Sequence, residues 1–164
     1  MSSPQVLLIV GSSSDLPVIL ETEKLLREFG IVYERHIASA HRTPEKVARL
    51  AHDAAGRGVQ TIIAAAGLAA HLAGAVAAQT TLPVIGIPLA GGSLGGLDSL
   101  LSTVQMPTGL PVATMAIGTH GAKNAALFAA QILALHDAAI ADKLIQHRRA
   151  MAEVLEEADA KGKG

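Results

Sequence analysis

The chain has no cysteine and no tryptophan, and its 164 residues include one tyrosine and two phenylalanines. Without cysteine there is no disulfide framework, no zinc–thiolate centre and no thiolate nucleophile, which agrees with a reducing, cytoplasmic setting. Neither sign of charge is in excess: the formal net charge is -1 at pH 7. No nucleic-acid partner is expected, because such proteins carry a basic surplus and aromatic platforms for bases. The aromatics here are Phe29, Tyr33 and Phe128. Long hydrophobic runs are missing too. Half of the residues are apolar, yet charged residues and glycines break every stretch before the roughly 20 residues that a membrane span needs. A soluble protein with no membrane partner is expected. Met1-Ser2-Ser3-Pro4-Gln5 places no basic segment ahead of the apolar run that follows, so that run reads as a buried strand rather than a signal peptide.

What the chain does have is a regular alternation. Short aliphatic runs at Val6 to Val10, Val32 to Ile37, Thr61 to Ala65, Val84 to Ile87 and Val112 to Ile117 are each followed by a loop and a helical pattern. The first helix is expected to take Asp15 as its cap, to bury Val18, Leu25, Leu26 and Phe29, and to stop at Gly30. For the second, Thr43 caps, Pro44 begins, Val47, Leu50, Ala51 and Ala54 face inward, and Gly58 ends the run. Strands apolar on both faces and joined by helices call for a parallel sheet covered on both sides, with ligands beyond the carboxyl ends of the strands. The expected fold is α/β: a flavodoxin-like, doubly wound, five-stranded parallel sheet of order 2-1-3-4-5 in three αβα layers.

The whole chain, 1–164, reads as a single domain with its core at about 5–137 and an extra C-terminal helix at about 138–160. Ile140, Leu144, Met151, Leu155 and Ala158 make a stripe on that helix. The stripe is either a solvated tail or a face that docks on a neighbouring subunit, and its length favours docking. Lys161-Gly162-Lys163-Gly164 is expected to be disordered.

Three loops carry candidate chemistry. Gly11-Ser12-Ser13-Ser14-Asp15 gathers hydroxyls and backbone N–H groups where a strand meets a helix, an arrangement suited to an anion, although Ser12, Ser14 and Asp15 are equally common as plain helix caps. It matches neither a nucleophile elbow, a Walker A loop nor a dinucleotide fingerprint. Ser39-Ala40-His41-Arg42-Thr43-Pro44 adds a guanidinium for a phosphate and an imidazole near neutral pKa. In an extended loop His41 and Arg42 would point apart, one for proton transfer and one for binding, while a solvated His41 is the plain alternative. Ala64 to Gly74 is built of small residues around His71, an imidazole that needs a partner if buried. A metal held by His41 and His71 is disfavoured, since no carboxylate stands near either at ligand spacing. His36, His52, His120, His136 and His147 have weaker claims. The glycines of Gly91 to Gly96 permit either a lid or an ordinary flexible connection.

Taken in order, Gly11-Ser12-Ser13-Ser14-Asp15, Ser39-Ala40-His41-Arg42-Thr43-Pro44, Ala69-Ala70-His71-Leu72, Leu97-Asp98-Ser99-Leu100-Leu101-Ser102, Val104-Gln105-Met106-Pro107 and Asn124-Ala125-Ala126 make the chain resemble the class I N5-carboxyaminoimidazole ribonucleotide mutases from Val6 to about Asp137. The resemblance implies a purine-biosynthesis enzyme that moves a carboxylate from the exocyclic nitrogen of an aminoimidazole ribonucleotide to ring carbon C4, without ATP, metal or organic cofactor. It implies that Ser12, Ser14 and Arg42 hold the 5'-phosphate, that Asp15 binds the ribose, and that His41 transfers protons with His71 beside it as the second catalytic imidazole. Ser39, Ala40, Gly67, Ala69, Ala70 and Leu72 would complete the substrate pocket. A cytoplasmic homo-octamer is implied as well.

The chain departs from the family pattern in places. Gly67-Leu68 stands where Gly-Gly is usual, Ala73 stands where proline is usual, and Ala90-Gly91-Gly92 occupies the usual lid pair. Two other readings remain: a class II aminoimidazole ribonucleotide carboxylase that uses carbon dioxide, and a flavodoxin-like module that binds a phosphorylated ligand without turnover. Arg42-Thr43-Pro44 and His71 favour class I over class II, and a binding module has no need of both His41 and His71 beside an apolar pocket.

Overall fold

β1 (Val6–Val10) lies inside a five-stranded sheet because it can be apolar toward both layers at once. Val6, Leu8 and Val10 face one helical layer, while Leu7 and Ile9 face the other, as the two-residue period of a strand requires. The computed structural model describes residues 3–162. The chain continues through α1 (Leu16–Phe29), β2 (Tyr33–Ile37), α2 (Pro44–His52), β3 (Thr61–Gly67), α3 (Leu72–Ala77) and β4 (Val84–Leu89). It then forms α4 (Leu97–Val104), β5 (Ala113–Thr114), α5 (Thr119–Ala134) and α6 (Ala138–Gly162).

All strands run parallel in the order β2-β1-β3-β4-β5, so the strand order reverses between β1 and β3. One layer packs Ile19, Leu26 and Phe29 of α1 with Ala122, Ala125 and Ala129 of α5. Alanines let α5 lie close to α1, close enough for the Thr22 hydroxyl to donate to the Ala122 carbonyl at 2.8 Å. The other layer joins Val47, Leu50 and Ala51 of α2 to Leu72, Ala73 and Val76 of α3.

The expected strand order holds, and several local expectations need correction. β2 is not apolar on both faces: as an edge strand it presents charges, and Arg35 reaches the buried Glu23 at 2.9 Å. β5 shrinks from the expected six residues at 112–117 to Ala113–Thr114, pairing only with β4, and beyond it only the N–H groups of Met115 and Gly118 still reach β4, at the Gly86 and Pro88 carbonyls. α2 stops at His52, and Gly58, at φ +93°, closes a separate 3-10 turn at Ala55–Arg57.

α6 begins where the Asp137 carboxylate accepts from the N–H groups of Ala139 and Ile140. It is seated by Ile140 and Leu144 on the α1 and α5 layer, and Lys143 Nζ donates to the Phe29 carbonyl at 2.9 Å. Its helix runs through Lys161 and Gly162, which corrects the expected disorder there, while Lys163 and Gly164 lie outside the described residues. Met151 and Leu155 of the stripe are exposed. Among the described residues no helix is long and apolar enough to cross a membrane.

Candidate active site

Parallel strands deliver every βα loop to the same edge of the sheet, and the loops after β1, β2, β3 and β4 close around one cavity of about 570 Å³. Ser12, Ser14, Asp15, Ser39, Ala40, His41, Arg42, Gly67, Ala69, His71 and Leu72, all expected site residues, line it. Ala70 does not. It is buried, 2% exposed, and outside the cavity lining.

The first loop is a capped turn. Ser12 is extended, and its hydroxyl accepts from the Ser14 N–H at 3.3 Å and the Ser14 hydroxyl at 2.9 Å, so Ser12 caps the 3-10 turn Ser13–Asp15 that leads into α1. Asp15, the expected cap, already has helical backbone and makes no side-chain cap bond. Its carboxylate is therefore released to the cavity. Burial raises its pKa above the ordinary aspartate value, against the opposing pull of the Ser14 hydroxyl, the Ser12 backbone and the Arg42 charge.

In the second loop the chain turns back on itself, because three hydrogen bonds join Ser39 and Thr43, one of them from the Thr43 hydroxyl to the Ser39 carbonyl at 3.2 Å. The Ser39 N–H donates to Thr43 Oγ1 at 2.9 Å, and the Thr43 N–H donates to the Ser39 carbonyl at 2.9 Å. The Ser39 hydroxyl in turn accepts from the N–H groups of His41 and Arg42. Thr43 stands at the N-cap of α2 as expected, but its hydroxyl closes the loop rather than bonding the helix. His41 and Arg42 both line the cavity and reach different loops of it, His41 toward His71 and Arg42 toward Gly11. Arg42 Nη2 lies across the first loop and donates to the Gly11 carbonyl at 3.2 Å, which brings its charge to the hydroxyls of Ser12 and Ser14. Hydroxyls, a helix start and a guanidinium on one wall form an anion site.

His41 and His71 meet across the cavity, with Nε2 of the former 2.8 Å from Nδ1 of the latter. Along the third loop the small residues Ala66, Gly67 and Ala69 leave room, while Leu68 and Leu72 give the cavity apolar lining. The far wall is Ala90-Gly91-Gly92, which overlaps the glycine segment expected to be a lid or a flexible connection; Gly11, Ala66 and Leu68, from the first and third candidate loops, also line the cavity. The second half of the glycine segment is anchored, since the buried Ser99 hydroxyl donates to the Leu89 and Gly96 carbonyls at 2.8 Å. His36, His52, His120, His136 and His147 all lie away from the cavity.

The AIR carboxylase family model matches residues 5–154. The chain is 53% identical to the N5-carboxyaminoimidazole ribonucleotide mutase of Pyrococcus abyssi, covering 90% of this chain and 84% of that one. It is 50% identical to the mutase of Bacillus subtilis, covering 95% of this chain and 97% of the relative. A crystal structure of Treponema denticola PurE superposes with a TM-score of 0.87 at 33% identity, covering 96% of this chain and 98% of that one. With its loops, sheet order and sequence matched along most of its length, the chain belongs to the AIR carboxylase family.

Proposed function

We propose that the chain is an N5-carboxyaminoimidazole ribonucleotide mutase. The observation that carries this is the placing of an imidazole pair beside an anion site in one cavity, on a chain about half identical to mutases over most of their length. Ser12, Ser14 and Arg42 bind the 5'-phosphate and Asp15 the ribose hydroxyls. Binding energy from this remote anchor holds the aminoimidazole ring against the small residues of the third loop.

The chemistry then needs one carbon dioxide and two proton movements. The bond from the exocyclic nitrogen to the carboxylate carbon breaks, its electron pair returns to nitrogen, and His41 supplies the proton that completes the amine. Carbon C4 attacks the released carbon dioxide, forming the new carbon–carbon bond. The hydrogen displaced from C4 returns to His41 as a proton, so the enzyme ends unchanged and no electrons are gained or lost. His71 holds His41 in position and fixes which nitrogen carries the proton. Gly67, Ala69 and Leu72 exclude water so that carbon dioxide is recaptured.

On this reading the chain works in the cytoplasm, with residues 5–137 as the catalytic unit and α6 serving assembly of a homo-octamer. The exposed Met151 and Leu155 favour assembly. A particle mass equal to one chain would remove it.

Purified protein is to be given the carbamate substrate, and separately aminoimidazole ribonucleotide with bicarbonate. Fast conversion of the carbamate alone is expected, lost in His41→Asn while nucleotide binding persists. Conversion of the second mixture alone would make the chain a carboxylase, and no conversion of either would leave a binding module.

A further inference from the structure

Among the described residues, Leu68 is the one non-glycine with positive φ, at +56°. Left-handed backbone crowds a side chain's Cβ, and strain of this kind persists where the surroundings hold it in place. Burial is not what holds it, because Leu68 is 56% exposed. Its contact lies across the cavity mouth. A methyl group built on Gly92 would stand 2.7 Å from Leu68 Cδ2, so the leucine tip rests on the Gly92 backbone, and both residues line the cavity.

The two sides of this contact differ in rigidity. Leu68 follows directly on Gly67, which is paired in register with Leu89 in the sheet. Gly92 has φ +69°, and a side chain built on Gly91 or Gly95 would meet open space, so the segment beyond β4 has few contacts of its own until Gly96 and Ser99.

We infer that Leu68 is a positioning residue that pins Ala90–Gly92 over the cavity and so retains carbon dioxide between its release and its recapture. The inference rests on the mutase reading given above. Carbon dioxide is small and uncharged and offers the protein no strong hydrogen bond, so a physical barrier is what keeps it near C4. An aliphatic tip laid on a glycine backbone supplies that barrier and leaves the reacting carboxylate no competing donor.

The test turns over unlabelled carbamate substrate in buffer containing 13C-bicarbonate and carbonic anhydrase, and reads label in the product carboxylate by mass spectrometry. Wild type, Leu68→Gly and Leu68→Met are compared, each with its thermal midpoint. Glycine accepts the backbone angle at position 68, so the fold survives and the midpoint should stay within about 3 °C. Label per turnover should rise about tenfold in Leu68→Gly, and Leu68→Met should return it close to the wild-type value. Equal label in wild type and Leu68→Gly, with the carbamate converted normally, overturns the inference and leaves the mutase reading standing. A joint fall in midpoint and rate without extra label also overturns it, by making Leu68 merely structural. If wild type fails to convert the carbamate, the mutase reading falls and the inference falls with it.

Discussion

His41 Nε2 stands 2.8 Å from His71 Nδ1, with the two rings edge-on at 84°. At that distance one nitrogen presents a proton and the other a lone pair, so the contact fixes a tautomer relationship between the rings. The residues meet because β2 and β3 flank β1 in the sheet, and the loops that follow them bend toward each other over its end.

If His71 orients His41, removing it should slow catalysis without emptying the site. His71→Leu is expected to lower kcat by about 100-fold, the low end of a general acid–base contribution, with KM little changed. The pH dependence of kcat/KM should move as well, because His41 loses the group that sets its tautomer. An unaltered pH profile would mean that the contact is idle.

Arg42 sits at the phosphate end of the cavity, and its loss should be felt through the phosphate alone. A hydrogen bond to a charged group contributes about 1.5–3 kcal/mol, so Arg42→Ala should weaken nucleotide binding by roughly 10- to 150-fold. Calorimetry with the unphosphorylated nucleoside should show almost none of that loss. Equal losses for both ligands would place the phosphate elsewhere.

Asp15 makes a prediction with a sign. Burial raises its pKa in the folded protein, so between the unfolded and folded values the native state binds more protons than the unfolded state. Stability is then lost as pH rises through that window. Asp15→Asn removes the loss, so the variant should melt higher than wild type at pH 7, and the gap should close as pH falls toward about 4, the ordinary aspartate range. A gap that widens on acidification would contradict the shift. Ribose binding should weaken in the same variant.

Gly121 tests packing far from the substrate. A Cβ there would fall on the Ala116 carbonyl, which as backbone has little room to give. Alanine gains up to about 1 kcal/mol over glycine inside a helix, whereas overpacking costs about 1–3 kcal/mol or more. The clash wins. Gly121→Ala should lower the urea midpoint by a corresponding amount, and an unchanged or higher midpoint would show that the turn before α5 yields.

Much of this protein is legible along the chain. β1, α1 with its Gly30 stop and the site loops all show in local spacing, because periodicity and turn chemistry act between neighbours. The edge strands were harder. β2 carries charges that find partners outside the sheet, Arg35 on Glu23 of α1 and Glu34 on Arg57, and β5 has one neighbour, so neither obeys the both-faces rule that suits a central strand. Ser12 and not Asp15 supplies the capping side chain for a similar reason: which of two nearby polar side chains caps a turn depends on backbone angles that composition does not reveal.

By itself the sequence determined the alternating architecture, the family and the set of loops that carry chemistry, since each rests on residues a few positions apart. Tertiary structure alone decided that His41 bonds His71, that Arg42 reaches Gly11, and that Leu68 rests on Gly92. Those contacts join segments brought together only when parallel strands set their carboxyl ends side by side. Their directions follow from loop closure rather than from the order of residues.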